Sequence, residues 1–126
     1  MDQLFELVEK YNFPIQHISP THVARTKDLF DQAINFALLG GIIDITTGAS
    51  KYTEPHFEAV IKGIDSGVKI GNMTFSTDGH AGLSVFDKRK SNWNKKAPVD
   101  ANLKQFTLLI KNGGLSIKKS CWFGNI

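Results

Sequence analysis

Apolar residues recur at helical spacing four times along the chain, and short β-branched runs separate them. Leu4, Phe5, Val8 and Tyr11 predict a first helix from Asp2 to Tyr11 with Asp2 as its cap, stopped by Asn12 and Pro14. Ile15 to Ser19 reads as a short strand running into Pro20-Thr21-His22. Thr26 is placed to cap a second helix whose stripe is Phe30, Ala33, Ile34, Ala37 and Leu38, ended by Gly40-Gly41. Ile42 to Thr46 is the clearest strand, being β-branched and preceded by glycines. Pro55 suits the first turn of a third helix that buries Phe57, Val60, Ile61 and Ile64 and closes at Gly67. A third strand is expected over about 71–77. Asp100 is expected to cap a last helix carrying Leu103, Phe106, Leu109 and Ile110.

Helices alternating with short apolar strands predict an α/β fold with a parallel sheet and right-handed crossovers. The predicted strands end near His22, Thr47 and Asp78, which are 25 and 31 residues apart. A complete (β/α)₈ barrel has about 31 residues per unit. The expected architecture is therefore a partial (β/α)₈ TIM barrel of about three strands with their helices. A small open three-stranded α/β sheet has the same spacing. Residues 1–126 read as one domain, with a polar basic loop at 83–100 and an atypical tail at 116–126. Cut from a closed barrel, three strands would leave two edges and lose the cover of their inward side chains, which predicts a broad melt and association.

In parallel folds chemistry gathers at the carboxyl ends of the strands. There stand His22 and Asp78, which could be metal ligands, an acid/base pair, or simply a capping histidine and an aspartate turn. On the third strand Thr74, Ser76 and Asp78 share one face, and Met73, Phe75 and Thr77 the other. Asp44, inside an apolar strand, needs hydrogen-bond donors to be tolerated there. His17 is expected to pack beside its strand, and His56 at a helix start to be solvated.

Three segments carry a family resemblance. Pro20-Thr21-His22-Val23-Ala24-Arg25 with Leu29-Phe30-Asp31-Gln32-Ala33 is similar to the sixth barrel strand of the isoaspartyl (β-aspartyl) dipeptidases, metal-dependent amidohydrolases. Gly40-Gly41-Ile42-Ile43-Asp44-Ile45-Thr46 resembles their seventh strand, and Phe75-Ser76-Thr77-Asp78-Gly79 their eighth. The order and spacing match across about residues 3 to 115. The resemblance implies that His22 ligates one zinc of a binuclear centre. Asp78 would ligate the other and carry the proton of the attacking water to the leaving amine. Arg25 would grip a carboxylate of an isoaspartyl dipeptide substrate. In full length the family implies a homo-oligomer.

The sequence departs from that pattern in its loop, Asp78-Gly79-His80-Ala81-Gly82, which lacks the substrate-contacting serine; Ser84 could replace it only if the loop rearranges. His80 reads as a loop residue. The family's His-x-His, carboxylated lysine and fifth-strand histidine would all precede Met1. The resemblance thus implies a truncated chain with an incomplete zinc ligand set and little or no activity, and the tail after Lys119 reads either as an out-of-frame extension or as a genuine short terminal strand.

Composition narrows the alternatives. With 41% apolar and 21% charged residues the chain is globular, and a net charge of +3 is too weak to argue for nucleic acid. Lys88 to Lys96 places five cations around Trp93, a pattern seen in single-strand binders, but no stacking sheet accompanies it, so no nucleic-acid partner is expected. No apolar run is long enough to span a membrane. The single cysteine, Cys121, fits a reducing cytoplasm and has no histidine near in sequence to make it a nucleophile. A non-catalytic α/β binding module using the same strand ends remains the rival to the hydrolase.

Overall fold

The computed structural model describes residues 1–48, 56–79, 82–87, 90–96 and 98–120, with side chains left aside in the 82–87 and 90–96 strands. It is a mixed α/β structure. Helix α1 spans Asp2–Tyr11, α2 Lys27–Leu38, α3 His56–Asp65, α4 Ala101–Lys111 and the short α5 Ile117–Ser120. Strands β1 (Ile43–Thr46) and β2 (Met73–Ser76) form a parallel pair in the register Ile43↔Met73 to Thr46↔Ser76. Strands β3 (Gly82–Asp87) and β4 (Lys90–Lys96) form a separate antiparallel hairpin.

The helix ends follow the sequence closely. Thr26 Oγ1 accepts from the Leu29 amide at 3.2 Å, as an N-cap should. At the other end Gly40 takes φ 103°, and the Gly40 and Gly41 amides donate to the Ala37 and Phe36 carbonyls, a Schellman closure. Gly67 closes α3 in the same way, with Val68 donating to Gly63. Asp100 differs from expectation. It precedes α4 without capping it, because its carboxylate pairs with Lys104 at 3.0 Å. Asp2 likewise lies within the first turn of α1, where its charge still favours the helix dipole.

Two predicted elements are corrected. Residues 15–19 are not a strand: Ile15–His17 form a 3-10 turn that starts from Pro14. Prolines at 14 and 20 remove two ladder donors from this stretch. The chain instead meets β1 just beyond, through Asp44 N–H to Pro20 O (2.9 Å) and Val23 N–H to Asp44 O (3.3 Å). His17 is consequently exposed and packs beside no strand. The parallel sheet among the described residues therefore has two strands, not three. The second correction is the 83–100 loop, most of which is the β3–β4 hairpin. Leu83 and Val85 alternate with Ser84 as a strand would, but the basic run and the absence of an Asn-Gly turn concealed the pairing.

One side of the parallel pair makes the core. Ile43, Ile45, Met73 and Phe75 are all at most 4% exposed and gather with Phe36, Ala33, Val60 and Leu109 from the helices. Phe5 of α1 meets Phe36 edge-on, with ring centroids 5.8 Å apart. Asp31 of α2 joins Lys62 of α3 and Lys27, and those hydrogen bonds, Lys62 first, hold its carboxyl below the ordinary 3.8. A Cβ at Gly41 would collide with the Phe36 ring. We therefore expect Gly41→Ala to destabilise the fold by about 1–3 kcal/mol through overpacking, and Thr26→Ala by about 1 kcal/mol through loss of the cap. Urea denaturation midpoints measure both, and an unchanged midpoint for Gly41→Ala would contradict this packing.

Candidate functional site

The sheet's other side is polar. Asp44, between Ile43 and Ile45, is 9% exposed and turns its carboxylate away from the apolar core. Its Oδ2 accepts from Ser76 Oγ at 2.6 Å, Thr21 Oγ1 at 2.8 Å and Thr46 Oγ1 at 3.3 Å, and its Oδ1 accepts from Thr74 Oγ1 at 2.9 Å. Four hydroxyls thus satisfy the buried carboxylate, as the sequence required without naming them. Strand alternation already put Thr74 and Ser76 on one face. Thr21 was not recognisable, because it comes from the segment whose strand was misplaced.

Beside this network lie the two candidate site residues. His22 follows Thr21, and Asp78 stands two residues beyond Ser76. His22 Nε2 and Asp78 Oδ2 are 3.8 Å apart, with side chains 27% and 42% exposed, so both remain reachable from solvent. Both have left-handed backbones, with φ 58° at His22 and φ 49° at Asp78. Asn12, at the end of α1, is the other non-glycine residue with positive φ among the described residues. Such conformations are uncommon outside glycine and concentrate where a site constrains the chain. The Gly79 amide donates to Thr77 Oγ1 at 3.0 Å and fixes the turn that carries Asp78.

Arg25 is exposed three residues after His22, and its amide donates to the His22 carbonyl at 3.3 Å. Its guanidinium forms no salt bridge among the described residues. Ser84 lies in β3 opposite Asn94, its side chain outside the described residues, as is His80. Cys121 and Pro55 also fall outside them. Sequence reasoning missed Asn102 and Thr47. Thr47 Oγ1 donates to Asn102 Oδ1 at 2.6 Å, and Asn102 Nδ2 donates to the Phe75 carbonyl at 3.3 Å, so the first turn of α4 is tied to the ends of β1 and β2.

An imidazole nitrogen and a carboxylate oxygen suit zinc in kind. They fall short in number, because a catalytic zinc takes three protein ligands and no cluster of three candidate ligands occurs among the described residues. Among those residues, no helix is long and apolar enough to cross a membrane.

His22 and Asp78 thus meet just past the carboxyl end of β2, the side of a parallel α/β sheet where functional sites gather. No protein-family model matches the chain. Solved structures give the site a more particular likeness. The chain is similar to the β-aspartyl dipeptidase of the thermophilic, keratin-degrading Fervidobacterium islandicum AW-1 in complex with a β-Asp-Leu dipeptide, at 30% identity and TM-score 0.80. That match covers 97% of this chain and 32% of the other. A second structure of β-aspartyl dipeptidase from that organism matches at 27% identity and TM-score 0.75, over 97% of this chain and 29% of the other. The likeness to isoaspartyl dipeptidases indicated by the motifs is thus present in three dimensions, and the chain spans about a third of the length of the structures it matches.

His56 corrects another expectation. It is buried at the start of α3, not solvated, and burial pushes its imidazole below the ordinary 6.5. The unfolded chain therefore binds this proton more readily than the folded one. The resulting stability is complete above pH 6.5 and is lost as pH falls below it. Urea midpoints should drop on acidification through this range and drop less in His56→Gln. Equal slopes for the two proteins would show that His56 is not the responsible group.

Proposed function

We propose that the chain carries the His22–Asp78–Arg25 portion of a zinc-dependent isoaspartyl dipeptidase site, built on the last strands of a partial (β/α)₈ barrel. The observation that carries this reading is the 3.8 Å approach of His22 and Asp78 from separate segments, each in left-handed backbone, in a chain similar over 97% of its length to such a dipeptidase. Hydrolysis of a β-aspartyl peptide bond needs a base for the attacking water and an acid for the leaving amine. A single exposed carboxylate can do both in turn. Asp78 takes the water proton and delivers it to the nitrogen as the carbon–nitrogen bond breaks. Zinc, when bound, would supply carbonyl polarisation and a more acidic water, with His22 a ligand of one ion of the binuclear centre and Asp78 a ligand of the other in this reading. Arg25 holds a substrate carboxylate through its guanidinium fork, with Ser84 as a weaker candidate contact.

The shortage of donors leads us to propose that the 126-residue chain by itself binds zinc poorly and is inactive, and its single cysteine that it resides in the cytoplasm. We expect less than one zinc per chain after dialysis and no cleavage of β-Asp-Leu. Stoichiometric binuclear zinc with turnover would sink the claim of inactivity. A chimera that joins this chain to the remaining portion of the Fervidobacterium enzyme tests the roles. There Asp78→Asn should lower turnover by about 10²–10⁴-fold. Arg25→Ala should mainly raise KM, by about 1.5–3 kcal/mol of lost charged hydrogen bonding. Wild-type turnover in Asp78→Asn would reduce this aspartate to a turn residue.

A further inference from the structure

We infer that Asp44 is the positioning residue of this site, holding together the two segments that carry His22 and Asp78. Asp44 is bonded to both sides of His22. Its amide donates to the Pro20 carbonyl, its carboxylate accepts from Thr21, and its own carbonyl accepts from the Val23 amide. The left-handed kink at His22 is therefore clamped before and after by one residue. Asp44 also faces Thr74 in the β1–β2 register and accepts from the hydroxyls of Thr74 and Ser76 on the strand that leads to Asp78. A single oxygen, Oδ2, receives both the Thr21 and the Ser76 hydroxyls, at 2.8 and 2.6 Å. That shared acceptor is a side-chain link between the two arms. A hydroxyl or amide in its place would accept fewer and weaker bonds, because charge-assisted acceptors are about twice as strong.

The inference rests on reading His22 and Asp78 as one site, but its test needs neither zinc nor substrate. In the 126-residue chain carrying Cys121→Ser, the changes His22→Cys and Asp78→Cys introduce the only two thiols. The rate at which a short bifunctional thiol reagent bridges them reports how often positions 22 and 78 meet. Adding Asp44→Asn should slow bridging about tenfold, the scale of one lost charged hydrogen bond. Thr21→Val and Ser76→Ala should each slow it less. Val60→Ala, in the core on the opposite side of the sheet, should lower the melting temperature and leave bridging unchanged. Bridging unaffected by a folded Asp44→Asn overturns the inference. So does equal slowing by Val60→Ala, which would make the effect one of general stability. Should Asp44→Asn fail to fold, unchanged bridging in both hydroxyl variants overturns it instead. Asp44-dependent bridging in a chain whose chimera is inactive would sink the dipeptidase reading alone.

Discussion

The structure depends on a buried carboxylate finding enough donors. Asp44 sits in the middle of a four-residue strand flanked by isoleucines, where an unsatisfied charge would cost more than the strand could offset. Four hydroxyls meet it, drawn from the segment before α2, from its own strand and from β2. Hydrogen bonds to a charged group contribute a net of about 1.5–3 kcal/mol each, so the set can hold the carboxylate where one or two could not. Sheet register, segment approach and site geometry follow together from that requirement. A one-residue slip of β2 would move Thr74 and Ser76 to the wrong face and leave the charge uncompensated.

The same pleat separates two environments. Ile43, Ile45, Met73 and Phe75 lie against the helices, while Asp44, Thr46, Thr74 and Ser76 occupy the opposite side. The expectation that a cut barrel would uncover apolar inward side chains does not hold for these two strands. Their polar side consists of hydroxyls and a carboxylate that satisfy one another, with Asp44 and Thr46 buried, so its exposure would cost little hydrophobic burial. Backbone bonds from residues 20 and 23 to Asp44 also cover the edge of β1 that faces away from β2.

Periodicity made the helices legible because their caps are local. Thr26, Gly40 and Gly67 do their work within a few residues of where they stand in the chain. Residues 15–19 alternate like a strand yet form a 3-10 turn, because alternation does not show that flanking prolines deprive a segment of ladder donors. The hairpin was hidden for the opposite reason, its charge suggesting loop where its alternation suggested strand. His22 and Asp78 stand out in the sequence as residues that follow predicted strands, but only Asp78 follows one in the structure, and their 3.8 Å approach needs the tertiary fold. His56 was not, since its burial depends on how α3 meets its neighbours and leaves no local signal. Asn102 joined the site through a contact 55 residues away in sequence from Thr47, beyond the reach of any window.

The left-handed backbone at positions 22 and 78 also narrows what chemistry this fold can host. β-branched and bulky side chains are disfavoured at such positions, whereas glycine, asparagine, aspartate and histidine are tolerated. Three of those four carry polar side chains, and two are common metal ligands and proton carriers. The chain path therefore filters the alphabet before selection acts on function. A lineage that lost the activity could drift from histidine or aspartate to asparagine or glycine at little structural cost. One that acquired valine or isoleucine there would first have to rebuild the turn.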